Sequence, residues 1–235
     1  VYLFDPASGR LLQRLTGLPN VINRLAFSPD GGWLAAGLGS GGVNVWRVNG
    51  QQVDAAPQAD STYGGRSYGA TFGQANRLAT TSFDGKVRLY DLGRAPMAKL
   101  AEVAAPGGQR PYSIAFSPDG SELAVGYADS TRVDILDGHS LALRHTPSSE
   151  GVANGHLSRV AWSADGRSLW VGGGWERNGQ FMVRRWPNAG RGAPQDVGTV
   201  GDTIFDLKAL PNGGVLVAGG GPAWGVLSAS GQWQP

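Results

Sequence analysis

FSPDG stands at residues 27–31 and again at 116–120, with WSADG at 162–166 and ALPNG at 209–213 as looser copies and FGQAN at 72–76 as a degenerate one. Their first positions, Phe27, Phe72, Phe116, Trp162 and Ala209, are separated by 45, 44, 46 and 47 residues. A short apolar stretch precedes each copy, and a second one rich in Leu, Ala, Val and Gly follows it. A repeat of this length, made of short strands and turns, predicts an all-β chain of four-stranded antiparallel propeller blades. The pentapeptide itself predicts the turn. Pro29 and Pro118 fix φ, Asp30 and Asp119 offer a side-chain bond to the backbone, and Gly31 and Gly120 tolerate the left-handed region.

Aligning the copies gives a consistent blade. First strands are predicted at 23–27, 68–72, 113–116, 159–162 and 205–209, second strands at 33–37, 78–82, 123–127, 169–173 and 215–219. Third strands follow at 43–48, 87–91, 132–137, 182–186 and 224–228, and more polar fourth strands at segments such as 11–15 and 141–145. The repeat divides the chain into a partial blade at 1–20, blades at 21–66, 67–110, 111–156 and 157–202, and a partial blade at 203–235. That makes about five to five and a half blades.

AFSPDG at 26–31 and 115–120, each followed by an apolar strand (WLAAG at 33–37, ELAVG at 122–126), resembles the WD40-repeat family over nearly the whole chain. Third strands ending VYLFD at 1–5, VRLYD at 87–91 and VDILD at 133–137 match the family's aromatic-Asp strand end. TSFDGKVRLYD at 81–91 is the closest single match, with Asp84 at the family's structural Asp position. The Gly-His that opens a family repeat is missing, and Trp46 and Trp186 are followed by Arg47 and Pro187 instead of Asp. The resemblance therefore implies a divergent, bacterial-style array without the buried His-Asp network, stabilised by packing between blades. VYLFDPASGR at 1–10 is more weakly similar to the seven-bladed YncE-type family. Since WD40 rings most often have seven blades, the resemblance implies part of a larger ring, and VYLFD read as mid-blade sequence implies a native N-terminus further upstream.

Composition narrows the function classes. A net charge of +2 creates no strong field for nucleic acid or an anionic membrane, and no apolar run is long enough for a spanning helix. With no cysteine, disulfides, thiol nucleophiles and thiolate metal sites are excluded. The three histidines, His139, His145 and His156, lack ligand spacing with a carboxylate and read as solvent-exposed, so no metal and no cofactor is expected. Gly37-Leu38-Gly39-Ser40-Gly41-Gly42 fits G-x-G-x-x-G, but the alternating strand after it predicts a hairpin loop and not a phosphate cradle.

The interesting residues lie where first strands begin. Asn23, Tyr68, Tyr112, Ser158 and Phe205 hold equivalent entry positions, with Arg24, Arg159 and Asp206 beside them. In a propeller these surround the mouth of the central channel. Tyr, Trp and Arg dominate interface energetics, which makes Tyr68, Tyr112, Arg159, Trp175 and Arg177 the candidate partner-binding set. Trp175 is the leading candidate, because its loop in GGGWERNGQ (172–180) is long and glycine-rich. Tyr68, Tyr112 and Phe205 could equally wedge between blades. The expected role is a non-catalytic scaffold or sensor module that binds a protein or peptide, within a larger, bacterial, multidomain polypeptide whose remainder is itself a partner. The alternative is a propeller enzyme, lactonase-like or cytochrome-linked, with its site in the channel.

Overall fold

The computed structural model describes residues 1–18 and 21–235, so the expected boundary at residue 20 lies outside the described residues. Among the described residues, six antiparallel sheets follow one another along the chain. The first is a hairpin, Tyr2–Phe4 with Leu11–Arg14. Blade I runs Ile22–Phe27, Trp33–Leu38 and Val43–Asn49, with Gln52–Val53 and Gln58–Asp60 both paired to its third strand. Blade II is Ser67–Phe72, Arg77–Ser82, Lys86–Asp91 and Ala98–Ala104; blade III is Pro111–Phe116, Glu122–Tyr127, Val133–Asp137 and Leu143–His145. Blade IV is Arg159–Trp162, Ser168–Gly172, Gln180–Trp186 and Gln195–Gly198, with Glu176–Arg177 added to the third strand. Blade V is Ile204–Ala209, Val215–Gly219, Ala223–Leu227 and Trp233–Gln234. The only helical segment described is one turn, Pro187–Gly190.

The SPDG turns form for the reasons their residues suggest. Ser28 donates to Asp30 at 2.5 Å, Asp30 accepts from the Gly32 amide at 3.0 Å, and the Trp33 amide donates to the Ser28 hydroxyl at 2.9 Å. Ser117 with Asp119 and Ser163 with Asp165 repeat the arrangement. Gly31, Gly120 and Gly166 adopt φ of 71°, 73° and 71°, a region costly for other residues. The G-x-G-x-x-G stretch is the hairpin loop between the second and third strands of blade I. Gly41 (φ 92°) is required there, since a side chain would meet the Gly65 carbonyl at 2.8 Å.

Five apolar layers lie between the six sheets. The hairpin packs on blade I through Leu15, Leu34, Trp46 and Val53. Blades I and II meet at Trp33, Val45, Phe72 and Tyr90, and blades II and III at Leu89, Ile114, Leu123 and Tyr127. Ile135, Leu157, Val171, Trp175 and Trp186 join blades III and IV, while Trp170, Val183, Ile204 and Val217 join blades IV and V. Among the described residues no strand of blade V pairs with the hairpin, so the two end sheets keep an uncovered face. Phe4 (56% exposed) and Phe27 (54%) lie at one end, Phe205 (55%) and Trp224 (67%) at the other.

Packing is not the only restraint, contrary to the sequence expectation. Each central blade ties the loop before its inner strand to buried polar groups of its own. In blade II, Asp84 accepts from the Gly64 amide at 3.1 Å and from Arg88 at 2.6 Å, and the buried Arg88 guanidinium lies 3.9 Å over the Tyr63 ring. Tyr63 bonds Thr80 at 2.7 Å and Tyr90 at 2.8 Å, and Tyr90 donates to Asp60 at 2.8 Å. In blade III, the Gly107 amide donates to Tyr127 at 3.1 Å, and Tyr127 donates to the fully buried Asp134 at 2.7 Å. In blade IV, Arg184 bonds Asp196 at 2.7 and 2.9 Å between the rings of Trp175 and Trp186. Tyrosine and arginine thus do what the missing His-Asp pairs would do. Two histidines also differ from expectation: His145 and His156 are half-buried, and only His139 is exposed.

The buried groups set the pH response. Burial lowers the basicity of His145 and His156, so both fold neutral, and their contribution to stability is present above the ordinary value of 6.5 and declines as pH falls below it. Burial opposes ionisation of Asp84, but its bonds to Arg88 outweigh that and hold the carboxyl below the ordinary 3.8; this contribution is lost only in stronger acid. The melting temperature should therefore fall in two stages on acidification, and Asp84→Asn should lessen only the second, to which other carboxylates held below their ordinary values, Glu102 and Asp137 among them, also contribute. Burial also raises the Tyr63 phenol to about 12, so its contribution is lost as pH rises from 10 towards that value. Trp175→Ala should cost about 3–5 kcal/mol in chemical denaturation, the range for emptying a packed indole site. Light scattering should detect self-association of the 235-residue chain through its uncovered end sheets, suppressed by Phe27→Asp combined with Trp224→Asp.

Candidate functional site: the channel mouth

The inner strands of successive blades stand side by side, so their first residues converge at one end of a central channel. Tyr68 and Tyr112 stack there, ring centroids 4.8 Å apart and planes 20° from parallel. Phe83 leans on both, at 4.3 Å from Tyr68 and 6.0 Å from Tyr112. It reaches them because it belongs to the turn after the second strand of blade II, at the same end of the blade as the inner-strand entries. Two guanidinium groups complete the cluster: Arg110 lies 5.6 Å over Phe83, and Arg159 lies 4.4 Å over Tyr112 while donating to its hydroxyl at 3.2 Å.

Arg159 is electrostatically loaded. Burial lowers its basicity, Arg24 acts in the same direction, and Tyr112 and Asp206 oppose both. Its Nε is buried without a hydrogen-bond partner. Across the channel Arg24 pairs with Asp206 at 3.4 Å, so the inner strands of blades I and V approach within ion-pair range although their sheets do not pack. Asn23 is turned aside and donates to the Ser67 carbonyl at 3.1 Å; Ser158 is buried, and Phe205 is exposed on the end face of blade V.

Three of the five candidate residues, Tyr68, Tyr112 and Arg159, therefore meet in one cluster. Trp175 and Arg177 do not join it. The Trp175 indole is 1% exposed, packed in the layer between blades III and IV and held between the guanidinium groups of Arg177 (5.2 Å) and Arg184 (5.1 Å). The sequence expectation of an exposed loop tryptophan is corrected. Its loop is long because Glu176–Arg177 forms a two-residue strand against the third strand, pinned by two bonds between Asn154 and Glu176. Arg177 is exposed but occupied by Asp196 at 3.4 Å and the Gly151 carbonyl at 3.3 Å. Phe83 was missed. The signal was its place in TSFDG, a turn that opens at the same end as the inner-strand entries.

Chemically, the cluster offers aromatic faces, cations and phenolic hydroxyls, the groups that recognise extended chains and their carbonyl or carboxylate oxygens. Among the described residues, no group of three or more His, Asp and Glu side chains is placed to hold a metal ion.

Comparison with known proteins accords with the architecture. The WD domain, G-beta repeat model matches residues 9–47, which span the outer strand of the hairpin and the first three strands of blade I. The chain is 30% identical over 138 residues to WD repeat-containing protein SL1-17 of Schistosoma mansoni, covering 58% of this chain and 43% of that protein. Over 229 residues it is 31% identical to coronin-7 of Bos taurus, 88% of this chain and 24% of the relative. It thus spans less than half the length of these relatives. Both are animal proteins, and the bacterial affiliation expected from the eroded repeats gains nothing from them. A chain in the crystal structure of the mitotic checkpoint complex superposes with a TM-score of 0.80 at 23% identity, covering all of this chain and 72% of that one. Matched repeat, sequence relatives and blade architecture agree: a WD repeat matches within this chain, and its blades have the architecture of a WD40 β-propeller.

Proposed function

We propose that the chain is a non-catalytic scaffold that presents the channel mouth to a protein or peptide partner. The observation that carries this reading is the stacked pair Tyr68 and Tyr112, half-exposed and flanked by Phe83, Arg110 and Arg159. Aromatic rings held by stacking lose little freedom when a partner docks, and guanidinium groups over their faces add directed donors. The surrounding inner strands are fixed by both neighbouring blades, so the surface is pre-organised. In the same reading, further blades of a longer polypeptide cover the two end sheets, whose exposed Phe27 and Trp224 have the apolar character of the buried layers. That the relatives are much longer than this chain supports the same view.

A photo-cross-linking residue placed at Arg110, at the mouth, should capture a partner in cell extract, whereas one at Arg167, on the opposite turns, should not. Tyr68→Ala should then weaken the captured partner's affinity by about 2 kcal/mol or more, the scale of an interfacial aromatic hot spot. Equal capture from both positions, or an unchanged affinity, refutes the assignment.

A further inference from the structure

Below the aromatic cluster the channel holds a cavity of about 290 Å³ whose walls are the inner strands of all five blades. Its side chains are unusually one-sided. Arg24 and Lys208 line it, and no Asp or Glu does so among the described residues. Thr71 and Ser113 add hydroxyls to the same wall. Neither hydroxyl, nor the Lys208 ammonium, has a hydrogen bond or ion pair among the described residues. Arg24 meets Asp206 through a single nitrogen at 3.4 Å, with both side chains substantially exposed, a pairing worth little. At the mouth, the buried Arg159 Nε also has no acceptor. Of the three cations only Arg24 has a carboxylate partner, and Lys208, on an exposed stretch of the wall, has none, so positive charge is in excess in an open cavity between apolar walls.

Resting on the binding role proposed above, we propose that this cavity is an oxyanion site that takes the carboxylate of an Asp or Glu side chain from an extended partner segment, which passes the Tyr68–Tyr112 stack on its way in. Lys208 and Arg24, on the inner strands of blades V and I, hold the carboxylate from two sides, and the Thr71 and Ser113 hydroxyls donate to it. One Arg and one Lys on separate strands suit a monoanion. A phosphoryl group would favour a cluster of arginines.

The test selects binders from a random peptide library displayed on phage, using the full 235-residue chain, and then titrates the recovered sequences by calorimetry. The expected result is enrichment of Asp or Glu at one position. Replacing that residue by Gln or Asn should weaken binding about tenfold, a difference that shrinks at high salt. The double variant Arg24→Gln with Lys208→Gln should keep the wild-type melting curve and bind the acidic and amide peptides alike. Peptides recovered with no acidic preference overturn the carboxylate site and leave the scaffold reading standing; if no peptide is recovered, both readings fall. Tighter binding of a phosphoserine version, or full displacement of the peptide by inorganic phosphate at low concentration, also overturns it, because the site then takes a phosphoryl group or a free ion.

Discussion

The whole structure depends on the second strands of blades I to IV being buried on both faces. Every residue of Trp33–Leu38 and of Glu122–Tyr127 is buried, so neither strand has a face suited to water. A sheet of this kind cannot stand alone or as one half of a pair; it needs a neighbour on each side. Stacking such sheets in sequence order leaves their inner strands side by side around an axis. It also makes the two terminal faces apolar, which is why Phe27 and Trp224 lie exposed where the interior blades bury equivalent surface.

Packing of flat layers sets the spacing between sheets but holds long connecting loops poorly. The polar networks of blades II to IV do that second job. Asp84 with Arg88, Tyr127 with Asp134, and Arg184 with Asp196 each clamp elements that the apolar layers do not reach. The cost of burying Arg88 and Arg184 is offset by carboxylates within 3 Å and by aromatic faces 3.9 to 5.7 Å away. Trp175 belongs to this scheme. Its buried indole is the surface on which two guanidinium groups lie, so it serves the interior.

The channel mouth follows from the same geometry. With inner strands fixed by the layers beside them, their first residues face one another at one end, and the turn carrying Phe83 opens there as well. A stacked aromatic cluster and an uneven distribution of charge are thereby assembled from residues 44 to 182 positions apart, as with Tyr68 and Tyr112 or Arg24 and Asp206.

The sequence by itself determined the blade period, the turn chemistry and most strand positions, because these depend on local spacing and on residues such as Asp30 and Gly31 that act within a few positions of themselves. It also brought Tyr68, Tyr112 and Arg159 together, since equivalent positions in a repeat become neighbours around an axis. Only the tertiary structure decided which aromatic residues face solvent. Trp175 sits in a glycine-rich loop that reads as exposed, yet the adjacent blade and Arg184 enclose it. The charge pattern of the channel was equally hidden, because Arg24 and Lys208 come from opposite ends of the chain and meet only when the sheets curl round one axis. Burial and charge convergence are properties of the neighbours a residue acquires, and those neighbours are distant in the sequence.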